Sequence, residues 1–256
     1  MPLQPEQLRG LVEAYLDELA LTPELGSLAE PIRHGLGGGG KRVRPVLCLA
    51  TADAVGANVE RVLPAAAAVE LVHSFSLVHD DLPALDNDTE RRGAPSVWAR
   101  FGEATAILAG DALLAEAFRL ALSYGTAAVA RELVEATLAM IGGQQLDLEG
   151  TEDLARLHSL KTGALFTASI MCGLWAAEVP QPEHAPWRAF AGELGLLFQI
   201  VDDLLDGDGY VLDVGEAGAR RLADDAAERA QARLAEIDAD TSVLADLVDG
   251  LASRTA

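Results

Sequence analysis

Cysteine, aromatic side chains and positive charge are all scarce in this chain of 256 residues. The two cysteines, Cys48 and Cys172, sit inside apolar runs, so neither a disulfide framework nor a zinc site is on offer, and two buried thiols are expected. Nineteen Lys and Arg stand against 40 Asp and Glu, a formal net charge of −21. That balance argues against nucleic acid, whose phosphates need a basic surface. Much of the acidity reads as solvated helix surface and speaks of solubility rather than substrate. Long hydrophobic runs are missing too. The longest uncharged run, Thr162 to Ala177, falls short of the roughly 20 residues that a spanning helix needs, so a buried core helix is expected there. The opening MPLQPEQLRGLVEAYLDELA lacks the basic-then-apolar order of a signal peptide, and a soluble, cytoplasmic protein is expected. No Pro/Ser linker or composition shift divides the middle, which predicts a single domain over residues 1–256.

Strand-like alternation of valine and isoleucine is also absent. Apolar residues instead recur at helical spacing, as in Leu222, Ala226, Ala230, Leu234, Ile237 and in Val243, Leu244, Leu247, Val248, Leu251. The expected fold class is all-α. A long buried helix is predicted up to Asp80 and Asp81, broken by Pro83, and a second helix ends in FQIVDDLLD.

Those two helix ends carry the informative chemistry. Asp80, Asp81, Asp86 and Asp88 form one acidic cluster; Asp202, Asp203 and Asp206 form the other. On a helix, 202 with 206 and 203 with 206 share a face. Carboxylates flanked by apolar residues must be paired, protonated or metal-bound. Hard divalent cations prefer carboxylate oxygens, and magnesium keeps waters and bridges to phosphate. One such cluster reads readily as a solvated helix end; two at the ends of two apolar helices do not. An EF-hand reading of DGDG fails, because the alternating acids and the closing Glu are missing.

The basic elements are few and grouped. GGGGKRVRP offers Lys41, Arg42 and Arg44 beside glycine, where backbone can approach a phosphate and arginine can grip it bidentately. Gly35 to Lys41 matches part of a Walker A loop, but Arg42 stands where Ser or Thr should, and no strand precedes it. TERRGAPS adds Arg91 and Arg92, and LKTG adds Lys161 and Thr162. Together these suggest two anionic sites, one bridged by metal and one held directly by Arg and Lys.

In their order, GGKRVRP, HSFSLVHDDLPALDNDTERRG, FGEATAILAGDALL, GGQQLDL, KTGALF and FQIVDDLLD resemble the successive signatures of the trans-isoprenyl diphosphate synthases, the polyprenyl synthetase family. The resemblance runs from about Gly39 to Asp206, and the spacing of Asp80, Asp81 and Asp86 is like the bacterial farnesyl and geranylgeranyl subgroups. It implies an isoprenoid-synthase helical bundle around a central cavity, commonly a homodimer. The implied activity is a prenyltransferase joining isopentenyl diphosphate to an allylic diphosphate, with magnesium, three ions per site when substrate is bound. The implied metal ligands are Asp80, Asp81 and Asp86 with Asp202, Asp203 and Asp206. Arg91, Lys161, Thr162 and Gln199 match positions that hold the allylic diphosphate. Lys41, Arg44, His73 and Arg92 match the isopentenyl diphosphate site, with Gly40 in the same turn. Phe75, five residues before Asp80, matches a position whose aromatic ring floors the pocket, which implies a C15 product, farnesyl diphosphate. The chain departs from the family after Asp206. No lysine follows Lys161, and Arg220 or Arg221 is the expected substitute for the missing charge. A C20 synthase, a class I terpene cyclase and a non-catalytic partner subunit remain as alternatives; the basic group argues against the cyclase and the intact acidic motifs against the inactive subunit.

Overall fold

Helix α4, Leu63–Asp80, is apolar on nearly every side, and helices from both sides of it in the chain pack around it. Pro64 in its first turn suits a helix start, since the missing N–H is not needed there. Ala65 to Val72 are buried without a gap, which removes that stretch from water on all faces. Each such Val or Leu contributes about 1.5–3 kcal/mol.

The structure, a computed structural model, describes residues 2–37 and 40–255; Gly38 and Gly39 of the glycine run lie outside the described residues. In chain order the helices are α1 (Pro5–Asp17), α2 (Ala29–Leu36), α3 (Val43–Ala54), α4, α5 (Val97–Phe101), α6 (Glu103–Ala121), α7 (Ala128–Glu149) and α8 (Leu154–His158). They continue with α9 (Ala164–Ala176), α10 (His184–Asp206), α11 (Tyr210–Val214), α12 (Glu216–Ala235) and α13 (Ser242–Ala252). A five-residue π-helical turn, Ser159–Gly163, joins α8 to α9. The fold is all-α; the one sheet among the described residues is a hairpin of two-residue strands, β1 (Glu90–Arg91) and β2 (Ala94–Pro95).

Helix α4 packs against α3, α6 and α9, while α10 packs against α9 and α12, and α13 closes over α10 and α3. One contiguous apolar cluster runs from Leu8 to Leu251. Cys48 and Cys172 are buried and free, and burial pushes both thiols up, so they serve as packing. Among the described residues no helix is long and apolar enough to cross a membrane.

Candidate active site

The end of α4 is built by turns that fold back on it. The Leu82 N–H donates to the His79 carbonyl and the Asp86 N–H to the Asp80 carbonyl, at 3.0 and 2.9 Å. Pro83 has no N–H with which to extend the helix. This wraps exposed Asp86 around the helix end that carries Asp80. No hydrogen bond or ion pair reaches the Asp80 side chain among the described residues. Burial pushes its carboxyl up to about 6, Lys161 opposes the rise, and the neighbouring Asp86 charge adds to it. Asp81 points elsewhere. It is 3% exposed and accepts Arg91 Nε at 2.9 Å, while Arg91 Nη2 also reaches Asp88 at 3.1 Å.

The second motif divides in the same way. Asp202 has no side-chain partner among the described residues, and burial, then the charges of Asp206 and Asp203, push its carboxyl up. Asp203 is 3% exposed and fully engaged: Gln199 Nε2 donates to Oδ1 at 2.6 Å and the Tyr210 N–H to Oδ2 at 2.8 Å. Gln199 is thereby turned toward Asp203, and Asp206 is exposed at the end of α10.

Asp80 and Asp202 border one cavity of about 480 Å³. Its polar side carries Lys161, Thr162, Arg44 and His73; its apolar side includes Phe75, Met140, Leu165 and Phe198. Lys161 comes from the π turn and donates to Asp147 on α7 at 2.5 Å. Gly143 lets α7 come this close, since a Cβ there would lie 2.5 Å from the Lys161 backbone nitrogen. Phe75 lies edge-on to His79, ring centroids 5.0 Å apart.

A second cavity of about 380 Å³ shares Arg44, His73, Phe198 and Asp202 with the first and adds Gly40, Lys41 and Arg92. Burial lowers the Arg44 guanidinium to about 10, a value that still leaves it charged, and its Nε is buried without a partner. Arg44 lies over the Phe166 ring at 4.7 Å. Burial, then Arg44 and Arg92, hold His73 well below its ordinary value, so it is neutral at pH 7. Arg92 occupies a left-handed position, φ 55°, in the tight turn between β1 and β2. Non-glycine residues there are strained, and such strain concentrates at functional sites. The turn sends the guanidinium over Gly40, where a Cβ would lie 2.6 Å from Nη1.

Residues 26–224 match the family model described as polyprenyl synthetase. The chain is similar to the geranylgeranyl diphosphate synthase of Cyanophora paradoxa, 42% identical over 194 residues, 69% of this chain and 64% of that protein. It is similar to the farnesyl diphosphate synthase of Bacillus subtilis, 38% identical over 206 residues, 74% of this chain and 70% of that one. The crystal structure of a geranyltransferase from Legionella pneumophila superposes with a TM-score of 0.86 at 32% identity, covering 98% of this chain and 94% of that chain. The chain belongs to the polyprenyl synthetase family. It spans less than two thirds of the Cyanophora protein's length.

The family uses a divalent metal, and the donor set suits one. Asp80 and Asp202 are unpaired oxygen donors held at raised pKa by burial, the state a cation relieves. Among the described residues no three His, Cys, Asp or Glu side chains sit close enough to hold an ion alone. Magnesium sites commonly complete their shell with oxygens from water or substrate phosphate.

The structure brings Asp80, Asp202, Lys161, Thr162, Arg44, His73 and Phe75 to one cavity, and Lys41, Gly40 and Arg92 to the adjoining one. It turns Asp81, Asp203 and Gln199 away, and Arg91 is held by the two carboxylates at its own end. Arg220 and Arg221, the expected substitutes for the missing lysine, stand outside both cavities. Both lie on α12, Arg220 exposed and paired with Glu216 at 3.0 Å. Sequence reasoning missed Gln144, Asp147 and Arg254. Gln144 lines the first cavity with a buried, unpartnered Oε1, and its GGQQLDL motif was the available signal. Asp147, in the same motif, anchors Lys161. Arg254 lines the second cavity, and no motif surrounds it.

Proposed function

We propose that this protein is a short-chain trans-prenyl diphosphate synthase. It joins isopentenyl diphosphate to dimethylallyl or geranyl diphosphate, and its product is C15 farnesyl diphosphate. One observation carries the reading: an acidic, apolar-walled cavity and a basic cavity share a wall of Arg44, His73, Phe198 and Asp202. Two anionic substrates thus fit side by side with their organic ends toward a common apolar space.

Asp80 and Asp202, with Asp86 and Asp206 at the rims, would hold magnesium, three ions when substrate is present. The metal supplies Lewis-acid charge for the leaving diphosphate. Lys161 and Thr162 grip the allylic diphosphate beside it. Lys41, Arg44 and Arg92 hold the isopentenyl diphosphate, and neutral His73 offers a hydrogen bond without adding charge. Phe198, Leu165 and Met140 keep water from the electron-poor allylic carbon. A terpene cyclase would need no second basic cavity, and an inactive subunit would need no unpaired Asp80 and Asp202. Free, buried Cys48 and Cys172 fit a reducing cytoplasm.

Incubation with magnesium, isopentenyl diphosphate and dimethylallyl diphosphate should give mainly a C15 product. Phe75→Ala should move the product to C20 or longer, because Phe75 lines the cavity and removing its ring would lengthen the space for the growing chain. A C20 product from the unaltered protein would remove the Phe75 floor and keep the chemistry. No product with dimethylallyl, geranyl or farnesyl primer would overturn the reading.

The reading includes a homodimer. Helices α6 and α7 expose Ile107, Leu108, Val134, Leu138 and Ile141, a face that a second copy would cover. Sedimentation velocity should give twice the chain mass, and Leu138→Lys should lower it toward one chain.

A further inference from the structure

We infer that Asp203 is a positioning residue, which clamps the connection after α10 to the π turn, and not a metal ligand. The inference refines the prenyl-transfer reading and rests on it for its kinetic arm alone.

Asp203 receives bonds on every side. Beyond Gln199 and the Tyr210 N–H, its backbone carbonyl accepts the Gly207 and Asp208 N–H groups at 2.8 and 3.2 Å. A carboxylate that caps its own helix terminus in this way fixes the three residues that follow. Gly209 is required by the arrangement. Its φ is 43°, and any Cβ there would collide with Asp203 Oδ2. The Tyr210 ring stacks on His158 at 5.5 Å and 26°, and His158 Nε2 lies 3.8 Å from Asp203 Oδ2. His158 immediately precedes the π turn that presents Lys161 and Thr162.

The mechanical consequence is a chain of contacts from the second acidic motif to the allylic diphosphate cradle. Asp203 holds Tyr210, Tyr210 holds His158, and His158 ends α8 where the π turn begins. The neighbouring Asp202, about 100° away around the helix, lines the cavity with no hydrogen-bond or ion-pair partner among the described residues. One residue of the pair meets ligand and the other sets the frame.

The two roles respond differently to asparagine. An Asn at position 203 keeps an oxygen for the Tyr210 N–H, and its amide can face Gln199 once that side chain flips. A metal ligand loses its charge and most of its function on the same change. Asp203→Asn, Asp203→Ala and Asp202→Asn should be compared by hydrogen exchange on metal-free protein, and by KM and magnesium half-saturation.

Asp203→Asn should match the unaltered protein in all three. Asp203→Ala should speed exchange over 207–214 and 159–163 and raise the allylic diphosphate KM about tenfold or more, with the isopentenyl diphosphate KM unchanged, the scale at which a supporting partner acts. Asp202→Asn should do the reverse: exchange unchanged, magnesium half-saturation shifted upward. Asp203→Asn shifting the magnesium requirement as far as Asp202→Asn would overturn the inference. So would unaltered exchange in Asp203→Ala. If the unaltered protein makes no prenyl product, the function fails while the exchange data still decide the clamp.

Discussion

Asp80→Asn and Asp202→Asn should each lower kcat by at least about 10²–10³-fold, the loss that follows removal of one electrostatic stabiliser. Both side chains line the cavity with no hydrogen-bond or ion-pair partner among the described residues, so their charge is available to cations. The same substitution should make the metal-free protein more stable. Asp80 has its pKa raised from the ordinary carboxylate range to about 6. The folded state therefore binds this proton more tightly than the unfolded chain does. Ionising Asp80 costs the folded state stability, and that cost grows from about pH 4 to about pH 6 and is full above. Asparagine escapes it. The melting temperature of metal-free Asp80→Asn should exceed that of the unaltered protein at pH 7 and match it near pH 4. Magnesium should bind less tightly as pH falls through about 6, because the proton competes for the same oxygens. Thermal melts across this pH range, with and without magnesium and inorganic diphosphate, separate the two effects. Retention of more than a tenth of the turnover in Asp80→Asn would contradict the assignment.

Much of the site was legible because it is local. Pro83 after an apolar run marked the end of α4, and the spacing of apolar residues marked α12 and α13. What spacing cannot tell is which of two adjacent carboxylates faces the cavity. Asp80 and Asp81, like Asp202 and Asp203, differ by one helical step of about 100°, and the answer lies in how the turns after each helix fold back to bring a partner: Arg91 for one, Tyr210 for the other. The hairpin that strains Arg92 into a left-handed position was hidden too, since RRG reads as charge before it reads as a turn. Arg220 and Arg221 looked like replacements by position, yet α12 carries them onto its solvent side. Charge scarcity was a better guide. The chain has only two lysines, Lys41 and Lys161, and each lines one of the two cavities.

Glu70→Ala should destabilise the fold by about 3–5 kcal/mol, the cost of leaving one member of a buried ion pair uncompensated. Glu70 is 2% exposed and Arg42 is 8% exposed; their side chains meet at 2.5 Å, and Arg42 Nη2 also donates to the Leu36 carbonyl at 2.6 Å. Arg42 adopts φ 51° at the start of α3, between Lys41 and Arg44, and this pair holds it there. Glu70 also faces Arg44 and Arg92 electrostatically and favours the charged form of each. Removing it leaves Arg42, Arg44 and Arg92 crowded under the second cavity, with Asp202 beside Arg44 as the remaining counter-charge. Chemical denaturation of Glu70→Ala, Arg42→Met and the double variant Arg42→Met/Glu70→Leu tests this. The double variant should recover most of the loss, because an apolar pair of similar volume avoids the desolvation of both charges. Its KM for isopentenyl diphosphate should still rise, since the turn that aims Lys41 and Arg44 has lost its anchor. A single Glu70→Ala loss below about 1 kcal/mol, the range of an exposed pair, would mean that water reaches Arg42 and that the pair is no anchor.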